Sequence, residues 1–388
     1  MKYDFETLSP ERSHHFWNAL AENGISDHSI ISYGVAEMKF PLCPEIKQAL
    51  HDCADYGYFG YYGDTKYSDT VCDFYARRHG WQAKSEWVVQ TYGVVLAFSM
   101  AIRCFTKPGD GVIIQTPVYT PFFNEIKGNE RVIIENRLIK GETRYEMDFD
   151  DLERKAADPN AKMMILCSPH NPVGRVWSRE ELQRVSEICL KHNVLVVSDE
   201  IHNDLVYEGT HTIYASLSPE AEQNCVICTA PSKTFNIPGL ITSNIFVPNA
   251  ELREKFKAEV TRCMGHFLNI TGTAASTAAY ENGAEWLSEA LEYIKGNAET
   301  FYSLVNEKIP QAWTPKMEGT YLAWLDLGFL GMSNDELEKF LIEKAQFLGN
   351  MGTMYGEAGK GFVRINIGCP RRYVVDAVER IAKAIEEI

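Results

Sequence analysis

The residue best suited to covalent chemistry in this sequence is Lys233, which follows an apolar run and stands between two hydroxyl side chains. The run CVICTA spans 225–230, and Pro231, Ser232, Lys233 and Thr234 come directly after it. An apolar setting disfavours the charged form of a lysine, so its pKa falls and its amine becomes a nucleophile for carbonyl groups. The ordinary alternative is a surface lysine whose stem covers apolar neighbours while its head stays in water. The functional interpretation depends on which side chains gather around Lys233.

Two polar residues follow other apolar runs. Asp199 ends VLVVSD (194–199), where a carboxylate would lose most of its water and needs a cationic partner. Asn171 stands in SPHNPVGRVW (168–177), whose two prolines and glycine predict a rigid loop. A rigid loop can hold the Asn171 side-chain amide in place for hydrogen bonding with little loss of conformational entropy. The alternative is an ordinary turn without a function. A metal site is a further alternative for this region, but its spacing matches no usual metal-binding motif. The ligands of that alternative would be Asp199, Glu200, His202 and His211.

Two further segments could contact a ligand, one through backbone amides and one through an aromatic ring. After WVVQT (87–91), Gly93 permits a tight turn, and the amides of Val94 and Val95 at the predicted start of a helix could bind a phosphate. Tyr119, in TPVYTPF, offers an aromatic face after the run GVIIQ. Taken alone, a simple connection explains the glycine and side-chain packing explains the tyrosine.

Seven apolar runs, separated by segments of helical length, predict the sheet that must bring these residues together. Runs rich in Val and Ile without polar alternation are typical of strands buried on both faces of a mostly parallel sheet. The runs are WVVQT (87–91), GVIIQ (111–115), RVIIE (131–135), KMMILC (162–167), VLVVSD (194–199), CVICTA (225–230) and NIFVP (244–248). Helical patterns at 94–105 and 181–193 are predicted to cover it. Ligands of such sheets bind beyond the carboxyl ends of the strands, where the candidate residues stand.

The pattern changes from about residue 284 towards an α+β unit. The predicted elements are a long helix (284–308), the strand YLAWLDL (321–327), a helix near 334–348, the strand FVRINIG (362–368) and a last helix (372–387). We therefore predict an α/β fold with two domains. The large domain would span 46–284, and the smaller α+β domain would combine 285–388 with an N-terminal arm, 1–45.

Composition argues against several classes of protein. The 388 residues carry a formal net charge of −15 without a long basic run, so nucleic acid and anionic lipid are not expected partners. No apolar stretch approaches membrane-spanning length, and the N-terminus lacks the apolar core of a signal peptide. Cys225 and Cys228 form a CxxC without a second pair, which favours a buried reduced pair over a metal or redox site. The expected compartment is the cytoplasm.

Six segments together resemble the MalY/PatB group of cystathionine β-lyases, within the class I/II aminotransferase superfamily. They are FGYYGD (59–64), CSPHNPVGRVW (167–177), SDEIH (198–202), APSKTFNIPGL (230–240), GTYLAWLDL (319–327) and FVRINIGCPRR (362–372). They reach from near the N-terminus almost to the C-terminus, so the resemblance covers the whole chain. It implies the fold of the pyridoxal-phosphate-dependent transferases, similar to aspartate aminotransferase, with a seven-stranded sheet in the large domain.

The resemblance implies pyridoxal 5'-phosphate as cofactor, held by Lys233 as a Schiff base. Asp199 would pair with the ring nitrogen and Tyr119 would stack on the ring. Asn171 would bond the ring hydroxyl, with His202 close by. The phosphate would be held by the backbone at the predicted helix start, Gly93, Val94 and Val95, and by the hydroxyl of Ser232.

The resemblance also implies a reaction, α,β-elimination at an amino acid that carries sulfur on its β-carbon. Arg364 would bind the α-carboxylate, since a guanidinium offers two parallel donors, and Val35 and Ala36 would line the substrate site. Lys233 would take the Cα proton, and Lys233 or Tyr61 would protonate the leaving thiolate. Tyr61 would reach into the neighbouring subunit, which implies a homodimer with shared active sites.

Four positions depart from related patterns and bear on the reaction. Typical aminotransferases of the superfamily have a tyrosine at the position of His202 and an arginine at that of Ile241, so both departures favour a lyase. The β-lyase group usually reads WVADMDF where this chain has Gly34 and Lys39, which bears on substrate identity. An aminotransferase using the same residues remains the first alternative. A protein of this fold that also binds a transcription factor is the second.

Overall fold

The computed structural model describes residues 1–9, 14–25, 30–61, 66–264 and 269–388. The strands in these ranges are β1 (Val88–Thr91), β2 (Gly111–Thr116), β3 (Val132–Arg137), β4 (Ile139–Lys140), β5 (Tyr145–Glu146), β6 (Ala161–Cys167), β7 (Leu195–Asp199), β8 (Cys225–Thr229), β9 (Ser243–Phe246), β10 (Leu322–Asp326), β11 (Asn350–Met351) and β12 (Phe362–Asn366). The α-helices are α1 (His14–Glu22), α2 (Pro44–Tyr56), α3 (Tyr67–His79), α4 (Val94–Phe105), α5 (Thr120–Gly128), α6 (Phe149–Ala156), α7 (Arg179–Lys191), α8 (Pro219–Gln223), α9 (Pro231–Thr234), α10 (Ala250–Met264), α11 (Ile270–Asn282), α12 (Ala284–Lys308), α13 (Asn334–Glu343) and α14 (Arg371–Glu386). None of the described helices is both long and apolar enough to cross a membrane.

The seven apolar runs form one sheet with the strand order β1-β9-β8-β7-β6-β2-β3. Four neighbouring pairs, from β8 to β3, are parallel. The strand β9 runs antiparallel to both of its neighbours, β1 and β8. The predicted α/β fold with a mostly parallel seven-stranded sheet is therefore confirmed.

Side chains of the sheet alternate between two apolar cores because successive residues of a strand point to opposite faces. Val112 and Met163 join the core formed with α4, α5 and α10. Their neighbours Ile113 and Met164 join the larger core, to which α6, α7 and α12 also contribute. Helices on both faces explain why these strands lack polar alternation.

The second sheet has the order β10-β12-β11 and is antiparallel. The predicted helices 284–308 and 372–387 correspond to α12 and α14, but the prediction of a helix to 348 is wrong at its end. The helix α13 ends at Glu343, and Gln346 has a φ of +49°, which interrupts helical geometry. The chain then forms β11, a two-residue strand that the sequence pattern does not indicate.

The large apolar core includes residues from Phe5 to Ala384, so it joins the N-terminal arm to both sheets. The large sheet lies wholly within the predicted large domain, and the three-stranded sheet lies within 285–388. The domain boundaries at 45/46 and 284/285 stay a prediction.

Candidate active site

Asp199 is the last residue of the central strand β7 and is buried. The register sets it beside Cys167 of β6 and Cys228 of β8, so apolar strand ends surround it. Its carboxylate accepts one hydrogen bond, from the backbone N–H of Ile201 at 3.2 Å. Burial, reinforced by the Glu200 carboxylate, raises the pKa of Asp199 to about 7. A cationic hydrogen-bond partner would restore its charged form.

Lys233 lies in α9, a single turn of four residues after β8. Its Nζ donates a hydrogen bond to the carbonyl oxygen of Ala36 at 2.6 Å. Burial and the positive charge of Arg364 lower the pKa of Lys233 to about 8, although Glu37 and Asp199 act against the shift. More of this amine is therefore neutral near physiological pH than of an ordinary lysine, and the neutral form is the one that attacks a carbonyl.

In cofactor-free protein, we expect Lys233 to react with an acylating reagent at a rate that is half-maximal near pH 8. Only the neutral amine reacts, so the rate rises with pH through the folded pKa, whereas unfolded chain should follow the ordinary value of 10.5. Between these values the unfolded chain binds more protons, so the contribution of Lys233 to the free energy of unfolding rises with pH. Peptide mass spectrometry of timed reactions measures both profiles. A native profile centred above pH 10 would contradict the expectation.

Arg364 is buried in β12, between β10 and β11. Its Nη1 donates to Asn171 Oδ1 at 3.3 Å, and its Nη2 donates to the carbonyl oxygen of Gly34. The guanidinium lies 5.2 Å from the centre of the Tyr355 ring. Its Nε is buried without a hydrogen-bond partner among the described residues. This unsatisfied donor leaves the guanidinium able to bond an anionic ligand.

The main chain of residues 34–38, here called the 34–38 segment, runs along these side chains. The Ala36 carbonyl accepts from Lys233 and, at 3.2 Å, from the Tyr321 hydroxyl. Asn366 Nδ2 donates to the carbonyl oxygens of Val35 and Glu37, both at 2.6 Å. Neither Tyr321 nor Asn366 is among the site residues that the sequence predicts. Asn366 could have been found, because it stands two residues after Arg364 and so faces the same side of the strand.

Asn171 and His202 come from two neighbouring loops and are both buried. The loop of Asn171 has cis peptide bonds before Pro169 and Pro172. Burial, together with the charges of Lys233 and Arg364, lowers the pKa of His202 to about 3, so its imidazole is neutral. Its Nδ1 is buried and has no described partner.

The start of α4 has the geometry expected for a phosphate site. Gly93 has a φ of +88° and precedes Val94 and Val95, and no side chain caps the helix there. The amides of the first helical turn therefore lack an intrahelical partner. Ile241, at the end of the 238–241 turn, packs beside Gly93: its Cγ2 would be 3.9 Å from the Cβ of any larger residue at position 93. Ser232 is half-buried in α9.

Two aromatic residues of the prediction differ in their placement. Tyr119 directly precedes α5, and burial with the nearby Asp199 charge raises its pKa to about 12. Tyr61 is 88% exposed, so its ring is not enclosed by its own chain. Residues 62–64, the end of the motif FGYYGD, lie outside the described residues.

The alternative metal site is not assembled in the described part of the chain, where no three His, Cys, Asp or Glu side chains form a metal-binding group. Glu200 instead accepts a hydrogen bond from His211 at 2.8 Å and others from Ser198 and the Tyr214 amide. Cys225 and Cys228 are buried free thiols of β8. Glu200 therefore has three protein partners, whereas Nδ1 of His211 is buried without a partner among the described residues.

Three unsatisfied features test whether these residues fit pyridoxal phosphate. Asp199 is buried without a cationic bonding partner among the described residues, which suits a protonated ring nitrogen. Nδ1 of His202 and Nε of Arg364 are buried and have no hydrogen-bond partner in the described part of the chain, which suits polar groups of cofactor and substrate. The uncapped start of α4 suits a phosphate. The donor set therefore fits the cofactor.

Comparison with known proteins agrees with this geometry. Residues 29–381 match the family of class I and II aminotransferases. Cystathionine β-lyase PatB of Bacillus subtilis is 43% identical over 353 residues, covering 90% of this chain and 91% of PatB, and protein MalY of Escherichia coli is 33% identical, covering 96% and 95%. Cystalysin of Treponema denticola, solved with pyridoxal 5'-phosphate, has a TM-score of 0.96 and 38% identity, and the match covers both chains fully. The resemblance drawn from the six segments is confirmed, and the chain belongs to the aminotransferase class I and II family.

Proposed function

We propose that the chain is a pyridoxal-phosphate-dependent carbon–sulfur β-lyase, which cleaves cystathionine-type or cysteine-type substrates to a thiol, pyruvate and ammonia. The observation that carries the proposal is that Lys233 and the buried Arg364 both bond carbonyl oxygens of the 34–38 segment, and that the charge of the buried Asp199 acts on Lys233. The names of its relatives PatB and cystalysin, and of a C-S lyase from Staphylococcus hominis at 28% identity and a TM-score of 0.91, support the same chemistry.

The residues divide the work between holding the cofactor and handling the substrate. When bound, pyridoxal phosphate supplies a conjugated cationic ring that takes up the electron pair left by the Cα proton. Asp199 would keep a proton on the ring nitrogen, and Tyr119 and Asn171 would hold the ring. Arg364 would orient the α-carboxylate. Once the substrate amine has displaced Lys233 from the cofactor, the freed Nζ would remove the Cα proton, which is worth on the order of 10²–10⁴-fold in rate. Lys233 or Tyr61 would give a proton to the departing thiolate, and hydrolysis of the remaining enamine would yield pyruvate and ammonia.

Two observations favour elimination over amino-group transfer. His202 is neutral in a position where typical aminotransferases of the superfamily carry a tyrosine hydroxyl. Ile241 is 51% exposed beside Gly93, so an apolar side chain stands where those enzymes have a phosphate-binding arginine. Both differences weaken the case for a transaminase.

Incubation with cystathionine and pyridoxal phosphate, without any 2-oxo acid, is expected to release pyruvate over many turnovers. Elimination regenerates the starting enzyme by itself, whereas transamination stops after one half-reaction until a 2-oxo acid arrives. Coupled lactate dehydrogenase measures the pyruvate continuously. Absence of pyruvate, with at most one equivalent of the 2-oxo acid of cystathionine formed per active site until another 2-oxo acid is added, would show an aminotransferase instead.

We also propose that two copies share their active sites, with Tyr61 reaching the partner. The support is an exposed aromatic group before α3, formed by Tyr56, Tyr58, Phe59 and Tyr61. Two of these rings line a largely apolar surface cavity of about 620 Å³ between α2 and α11. Exposed apolar patches of this kind are typical of protein interfaces. Sedimentation at the mass of a single 44.0 kDa chain would contradict the proposal.

The proposed compartment is the cytoplasm. All ten cysteines are free thiols, and seven of them are buried. A chain with many buried, unpaired thiols suits a reducing compartment, because oxidising compartments favour disulfides. The proposed partner there is a small amino-acid substrate.

A further inference from the structure

We propose that Asp204 is a positioning residue for Lys233, acting through a buried hydrogen bond from the adjacent Thr234. This inference rests on the proposed function, because it concerns how the lysine is held for the cofactor. Asp204 lies in the turn after β7, whereas Thr234 is the last residue of α9. The bond between them links the turn after β7 to the short helix after β8. The first of these connections carries His202 and the second carries Lys233, and both are predicted to contact the cofactor.

The contacts around Asp204 form one buried cluster. Its Oδ2 accepts from Thr234 Oγ1 at 2.8 Å. Its Oδ1 accepts from Arg78 Nε at 2.6 Å and from His79 Nε2 at 2.9 Å, and its backbone carbonyl accepts from Arg78 Nη2 at 3.0 Å. Asp204 and Thr234 are both buried. The carboxylate therefore connects the lysine-bearing turn to the C-terminal end of α3.

The cluster keeps Asp204 charged. Burial acts to raise its pKa, but the hydrogen bonds and charges of His79 and Arg78 outweigh burial and hold the pKa below its ordinary value. A charged acceptor makes a stronger hydrogen bond to the Thr234 hydroxyl than a neutral one would. The charges that shift the pKa of Lys233 belong to Arg364, Glu37 and Asp199, so we assign Asp204 a role in placement.

The turn that carries Lys233 needs such an anchor because it is short. A four-residue helix has one turn and cannot fix its own orientation through backbone bonds. Beyond α9, Asn236 exchanges two hydrogen bonds with the main chain of Met38, in the 34–38 segment. Two anchors therefore follow Lys233 closely in the chain: Thr234 bonds the turn after β7, and Asn236 bonds the segment that accepts the Nζ bond.

Replacing Thr234 with valine tests the anchor and leaves Asp204 its bonds to Arg78 and His79. Valine keeps the shape of threonine, so the substitution mainly removes the hydroxyl. We expect T234V to bind pyridoxal phosphate about tenfold more weakly, and T234S to restore affinity to within about twofold of the wild type. Titration of the yellow absorbance of cofactor-bound lysine measures the affinity, and borohydride trapping with peptide mapping measures the fraction of Lys233 that is bound.

A matched control separates positioning from general stability. Thr106 is also buried, and its hydroxyl accepts from Arg131 Nε at 2.8 Å, at the end of α4 that lies away from Gly93. T106V should lower the melting temperature without changing cofactor affinity. Unchanged affinity in T234V, equal weakening in T106V, or failure of T234S to restore binding would overturn the positioning role. Wild-type protein that binds no cofactor at Lys233 would overturn the proposed function itself, which is a separate result.

Discussion

Protein with Lys233 replaced by alanine is expected to lose thiol release and to lack the absorbance band of cofactor-bound lysine after unbound pyridoxal phosphate has been removed. The amine has two tasks: it bonds the cofactor carbonyl and it removes the Cα proton. The other residues of α9 are a proline, a serine and a threonine, so α9 has no second amine that could take over. Loss of the general base alone costs on the order of 10²–10⁴-fold in rate, and loss of the covalent anchor adds to this. Absorbance of the purified protein and the pyruvate assay measure the two effects separately.

The fold of the Lys233→Ala protein should survive, which keeps this result interpretable. Burial of its amine lowers the pKa of Lys233, so at neutral pH the charge destabilises the folded state, and alanine removes that charge. Lys39 provides a matched control, because it is 1% exposed and burial also lowers its pKa. K39M should keep the yellow band. Undiminished turnover in K233A, or loss of the band in K39M but not in K233A, would remove Lys233 from the reaction.

Replacing Arg364 with alanine is expected to lower kcat/KM by about 10²- to 10³-fold while leaving the cofactor bound. A buried guanidinium that bonds a carboxylate contributes several kcal/mol, and its truncation also leaves the ligand charge unpaired. The Arg364 Nε has no hydrogen-bond partner among the described residues, whereas Nη1 bonds Asn171. The guanidinium can therefore bond a ligand through Nε without breaking an existing bond. Lysine at this position should recover only part of the loss, since it cannot donate two parallel bonds.

The sharpest control for Arg364 is a change in the substrate. A thioether amine that lacks the α-carboxylate should react slowly with the wild type and no more slowly with R364A, because the missing charge removes the partner of the guanidinium. Steady-state kinetics of both enzymes on both compounds complete a double-mutant cycle. Equal losses on the two compounds would mean that Arg364 acts through folding or through Asn171, and not on the carboxylate.

Most of the seven strands could be predicted because they are buried on both faces, so their apolar residues are consecutive in the sequence; the edge strands β1 and β3 are only partly buried but have similar apolar runs. The direction of β9 could not be predicted from its sequence. An antiparallel strand that helices cover on both faces has the same apolar composition as a parallel strand. The end of α13 was also misjudged. Residues 344–348 continue a helical pattern of apolar spacing, but the positive φ of Gln346 turns the chain towards β11.

The amino-acid sequence by itself determined the fold class and the residues proposed for chemistry, because reactive side chains such as Asp199 and Lys233 stand at the end of an apolar strand or soon after it. Only the tertiary structure decided which groups hold those side chains. The carbonyl oxygens of the 34–38 segment accept from Lys233 and Arg364, and Asp204 accepts from Thr234. Backbone carbonyls carry no residue-specific signal, and these partners lie 30 or more positions apart, so folding alone brings them together.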